Sequence, residues 1–74
     1  MGVVGLSEEE ARRRGLIEHW AHHNDEHRDR FLEAASEAEG LGLKEAAAEM
    51  KRAAGKADEV SVHLRKALEH LGGR

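Results

Sequence analysis

Six histidines stand in this 74-residue sequence, and four of them, His19, His22, His23 and His27, fall within nine positions. Imidazole is the side chain that titrates nearest neutral pH and the commonest ligand of protein-bound metals. Two histidines four residues apart on a helix lie one turn apart on one face, so both can reach a single ion. His19, His23 and His27 make two such steps in succession, H-x-x-x-H-x-x-x-H. His63, far along the chain, is the histidine placed to close a site across a helical hairpin. Imidazole without thiolate suits a transition-metal ion such as Zn, Ni, Co or Cu(II), and such a site needs its histidines neutral. His19, His23, His27 and His63 are therefore the candidate ligands. Asn24, Asp58 and Ser61 are candidate supports behind them, and Asp58, Glu26 and Glu59 offer oxygen donors. His22 has Glu18 and Glu26 four residues to either side and reads as a surface pair. His70 reads as a solvated charge in a last helical turn.

The elements that must position these groups are helices. The chain has no Pro, four Val, one Ile and no Thr, and alanine is its commonest residue. That composition favours helix and excludes an all-β fold. Ser7-Glu8-Glu9-Glu10 fits a capping box, and Gly15 marks either a kink or the start of the packed helix. A first helix is expected over 16–39, a glycine-rich turn over 40–42 with a left-handed cap, and a second helix over 43–71. Residues 1–15 read as a lead and capping turn, and 72–74 as a tail.

In the second helix Leu43, Ala47, Met50, Ala54, Ala57, Ser61, Leu64, Leu68 and Leu71 alternate steps of four and three, which is a coiled-coil seam. On the first helix Leu16, Trp20, Phe31, Ala34 and Ala38 share one face. His23, Asn24 and His27 lie in the same arc, with His19 at its edge. Folding about 40–42 pairs residues whose numbers add to about 82. The histidines then face the small middle of the second helix, around Ala54, Gly55 and Ser61, and Trp20 reads as a core anchor. A two-helix core of this kind is thin. The expected architecture is an all-α antiparallel helical hairpin that dimerises into a four-helix bundle.

Several functions are excluded by the same reading. No Cys means no disulfide framework and no thiolate site. No apolar run approaches the length of a membrane span, and no signal peptide is legible at the N-terminus, so the cytoplasm is the expected location. A net charge of −3 argues against nucleic-acid binding. No nucleophile motif or catalytic cleft is legible, so an enzyme is not expected. Two other readings of the histidines compete with metal binding. One is a buried hydrogen-bonded network, with Asn24, that fixes how helices pair. The other is a pH switch, in which protonation near pH 6 splits a dimer.

The run His19-Trp20-Ala21-His22-His23-Asn24-Asp25-Glu26-His27, with Phe31 after it, resembles a signature of small bacterial and archaeal domains of unknown function, H-W-x-x-H-N-x-x-H-x-x-x-F. In those domains a Gly-Leu turn leads to an Ala/Glu-rich second helix carrying a motif like A-N-x-H-L. Its counterpart here is Val60-Ser61-Val62-His63-Leu64, with Ser61 where the pattern has Asn. The resemblance spans roughly residues 16–71. Such domains occur alone or attached to larger proteins, some of them metal-handling, so the resemblance implies a metal-linked module with a larger metal-handling protein as a candidate partner, and it carries over His19, Trp20, His23, Asn24, His27 and His63.

Overall fold

The computed structural model describes residues 7–71. Within them the chain forms α1 (Glu8–Gly40) and α2 (Lys44–His70), packed as an antiparallel hairpin with no strand. The expected tail, 72–74, and residues 1–6 of the expected lead lie outside the described residues.

α1 begins earlier than 16. Ser7 Oγ accepts the Glu10 backbone N–H at 3.1 Å, and Glu10 Oε1 accepts the Ser7 N–H at 3.0 Å. This reciprocal cap satisfies two of the N–H groups that a helix start leaves open. Glu8, Glu9 and Glu10 add negative charge where the helix dipole favours it. Gly15 lies inside the helix as a tolerated weak position, so residues 8–15 belong to α1 rather than to a separate lead.

The turn is a Schellman motif. The Leu43 N–H bonds to Ala38 O at 2.9 Å and the Gly42 N–H to Glu39 O at 3.0 Å. Gly42 takes φ 79°, the left-handed conformation that a side chain disfavours. α2 starts two residues later, with Leu43 as a cap whose side chain makes no hydrogen bond.

The seam of α2 is the one its sequence spells out: Ala47, Ala54, Ala57 and Ser61 are buried, with Met50, Leu64, Leu68 and Leu71 half-buried. Leu43, at the turn, stays exposed. The seam of α1 differs from the expected face. Arg14, Ile17, Ala21, Asn24, Arg28, Phe31, Ala35 and Ala38 are the buried or half-buried set at alternating steps of three and four. Ala21 and Ala35, not Trp20 and His23, meet α2, so the face is rotated by about one residue, or roughly 100°. The reason is space. Among the described residues the fully buried core is alanine with one serine, no large side chain is fully buried, and Ala35 and Ala47 are each 1% exposed. Where Ala21 meets Ala57 and Ser61, and Ala35 meets Ala47, helices this close leave no room between them for indole or imidazole. Trp20 is accordingly 51% exposed and is not a core anchor.

The register follows the hairpin arithmetic. Ser61 Oγ lies 3.5 Å from Ala21 O, and Arg14 Nη1 donates to Leu68 O at 3.1 Å, both between residues whose numbers add to 82.

Candidate functional site

Two sets of polar side chains occupy the middle of the hairpin, on different sides of it. The first lies at the interface. Asn24 Nδ2 donates to Ala57 O at 2.5 Å and to Ser61 Oγ at 2.8 Å. An asparagine reaches a backbone carbonyl of the facing helix because the small seam lets the backbones approach closely. Ser61, 2% exposed, donates in turn to Asp25 Oδ1 at 2.5 Å. Asp25 Oδ2 also accepts from Arg65 Nη2 at 2.7 Å. Hydrogen bonds from Arg65 and Ser61 hold the Asp25 carboxyl down at about 2, against 3.8 for the unperturbed group. Arg28 Nη1 donates to Asp58 Oδ1 at 2.8 Å, and its guanidinium is held protonated more firmly by Asp58 and Asp29. No buried side-chain nitrogen or oxygen among the described residues lacks a partner.

Sequence reasoning did not place Asp25, Arg28 and Arg65 in this network. Their signal was positional. Asp25 and Arg65 each follow a seam residue by one place, as do Glu39 and Lys51, which pair at 2.8 Å. Asp58 does the same. All these cross-hairpin ion pairs therefore line one edge of the seam.

The second set is the histidine column. His19, His23, His27 and Phe31 succeed one another up α1 at steps of four. His19 and His23 are stacked with centroids 5.9 Å apart. His23 and His27 meet edge to face at 4.6 Å, and His27 and Phe31 lie 6.2 Å apart. The Nε2 atoms of His23 and His27 approach to 3.1 Å. Glu26 stands at the base of the column, its Oε1 3.8 Å from His23 Nδ1 and its Oε2 3.3 Å from His22 Nε2.

The distance between the two Nε2 atoms has a chemical reading. Metal–imidazole bonds of about 2.0–2.1 Å put two nitrogens on one ion about 2.9 Å apart at a right angle and about 3.3 Å apart at the tetrahedral angle. The observed 3.1 Å lies between these. The same distance fits one N–H···N hydrogen bond. That bond contributes little here, because the His23 side chain is 55% exposed and water competes for both nitrogens.

The remaining expected ligands stand apart from this pair. His63 is exposed on α2, and among the described residues no three His, Cys, Asp or Glu side chains converge on one point. The rotation of α1 is the cause: it turns the column to the flank of the hairpin instead of towards the small residues of α2. Asn24, Asp58 and Ser61 spend their hydrogen bonds on the interface network and make none to an imidazole, so the structure does not bring them behind the ligands. His22 pairs with Glu26, as its spacing suggests.

A helical hairpin carrying an interface network on one edge and a histidine column on the other flank is the class of domain these observations define. Residues 14–71 match the family model described as Domain of unknown function (DUF8180), and the chain belongs to that family. An uncharacterized protein of Archaeoglobus fulgidus is 44% identical over 57 residues, covering 77% of this chain and 90% of the relative. No solved structure matches the chain. No helix among the described residues is long and apolar enough to cross a membrane.

Proposed function

We propose that this domain binds a transition-metal ion through the histidine column of α1 and works as a small carrier, sensor or accessory module rather than as an enzyme. The observation that carries the reading is the 3.1 Å approach of His23 Nε2 to His27 Nε2. Imidazole donors without sulfur select Zn, Ni, Co or Cu(II). His23 and His27 are the central ligands. His19, stacked on His23, and His63 on α2 are the other histidines the sequence offers as donors, and within one chain they do not converge on that pair.

The test is titration of untagged protein, purified without a metal column, with Zn, Ni, Co and Cu(II) near pH 7. The reading expects one of these ions to bind with a Kd below about 1 µM, corresponding to about −8.2 kcal/mol, and expects His23→Ala to lose that binding. Affinity no tighter than about 0.1 mM for all four ions, about −5.5 kcal/mol, overturns it.

A second reading has its own observation. The closed chain from Asn24 through Ser61 and Asp25 to Arg65 supports a structural module whose buried polar groups fix helix pairing. In that reading the domain is an interaction element, Asn24→Leu changes how the helices associate, and metal has no effect on stability.

A further inference from the structure

We infer that the metal site is completed by a second copy of this chain, with His23 and His27 from each copy on one ion at a twofold axis. This rests on the metal-binding reading and adds the identity of the remaining ligands.

The first observation is that the chelating pair is incomplete. A tetrahedral Zn or Co(II) ion takes four protein donors in a closed site. One chain brings two Nε2 atoms together, and no third His, Asp or Glu among the described residues joins them.

The second is the division of the hairpin into two unlike edges. The cross-hairpin ion pairs Glu39–Lys51, Asp25–Arg65 and Arg28–Asp58 occupy the edge that follows the seam. Residues that precede the seam lie on the other edge. There α1 carries Trp20, His27 and Ala34, and α2 carries Ala46, Ala53, Val60 and Ala67. Leu16, His23, Arg30 and Glu37 border it on α1, and Glu49, Lys56 and His63 on α2. Trp20 is 51% exposed, Val60 48% and Leu16 39%. The positions nearest the seam on this flank are mostly apolar, with charged side chains further out, and among the described residues the fully buried core beneath it consists of alanines and one serine, which is little for a domain of this size.

The third is complementarity of the flank with itself. Consider two α1 helices packed antiparallel about an axis beside Asp25. Residue i of one then faces residue 50 − i of the other. His23 faces His27, so both chelating pairs arrive at the axis together. One turn out, Trp20 faces Arg30, a cation–π pairing. Next, Leu16 faces Ala34, a large side chain against a small one. Beyond that, Arg13 faces Glu37, opposite charges. An isologous interface requires self-complementary pairs of this kind, and this arrangement supplies four in succession along one stripe. On α2 the small residues Ala53 and Val60 stand level with the axis, leaving room for the partner to approach. The product is a four-helix bundle with a four-imidazole site at its centre. His19 and His63 lie outside that site.

Zn(II) titration of the full chain, read together by sedimentation velocity and native mass spectrometry, tests this. The expected result is one Zn(II) per two chains in a dimer. His19→Ala and His63→Ala keep it. His23→Ala weakens Zn(II) binding about 100-fold or more, which is about 2.8 kcal/mol, without loss of helix, because His23 is a surface residue. Trp20→Glu provides the independent check. It alters no ligand, and it lowers both dimer formation and Zn(II) affinity by about tenfold or more. One Zn(II) per monomeric chain overturns the shared site while leaving the metal-binding reading intact. No Zn(II) binding overturns the shared Zn(II) site, and failure of Ni, Co and Cu(II) to bind as well overturns the metal-binding reading. A dimer-bound ion that survives His23→Ala and is lost in His63→Ala overturns the assigned ligand set.

Discussion

Asp25 joins both helices, and replacing it with Asn removes one charge while keeping the shape of the side chain. Its carboxyl stands at about 2 in the folded chain against 3.8. In a fully shielded site that difference amounts to about 2.4 kcal/mol, at 1.36 kcal/mol per unit. Asp25 is 24% exposed and its partner Arg65 51%, so solvent screening reduces the contribution to about 1 kcal/mol. The sign follows from the direction of the shift. A depressed carboxyl stabilises the fold fully above its unfolded value, and the contribution fades as pH falls from about 4 towards 2. Asp25→Asn is therefore expected to lower Tm by about 4–8 °C at pH 7, measured by circular dichroism at fixed protein concentration. The gap between variant and parent should close on acidification to pH 2. Arg65→Met should produce a similar loss at pH 7, and the double variant should lose less than the two single losses combined, because both remove one interaction. A gap that stays constant down to pH 2, or strict additivity with Arg65→Met, would refute the electrostatic role of this pair.

The backbone and core give predictions of opposite sign. Gly55→Ala should stabilise by about 0.5–1 kcal/mol, since Gly55 is mid-helix and an added methyl meets nothing within 4 Å, whereas Gly42→Ala should destabilise by about 1–2 kcal/mol because its φ is 79°; urea unfolding midpoints distinguish the two. Ala47→Leu should destabilise by about 1–3 kcal/mol by forcing apart helices that meet through alanine, seen as an earlier midpoint in the same assay. Ser7→Ala should cost about 1 kcal/mol through the lost capping box and raise amide exchange in the first turn of α1, with metal binding unaltered.

How far the fold was legible depended on how plainly each helix advertised its seam. α2 places Leu, Met and Ala at alternating steps of four and three with charge elsewhere, and its buried set matches that pattern. Gly40-Leu41-Gly42 announced the turn and its left-handed cap, which falls at Gly42. α1 misled because its large apolar residues, Leu16 and Trp20, are not its most buried ones. The packed positions are Ala21 and Ala35, with polar Asn24 and Arg28 between them. The string Arg14-Ala21-Arg28-Ala35, at steps of seven, lies opposite Leu68-Ser61-Ala54-Ala47 and was the available signal. A hydrophobic ranking passes over it, because it treats Ala as weak and Arg as surface. Asn24 was recognisable as a buried polar group, yet its partner is α2 rather than an imidazole. The same rotation explains why the column is on the flank and why His63 does not reach it.

The central claim is that His23 and His27 ligate one ion through Nε2, and the most direct measurement is a long-range proton–nitrogen NMR spectrum of the imidazoles during Zn(II) addition. The account predicts that Nε2 of His23 and His27 moves to metal-bound shifts while His22 and His70 stay unchanged. Imidazole spectra indifferent to Zn(II), or changes confined to His22 and His70, would contradict it.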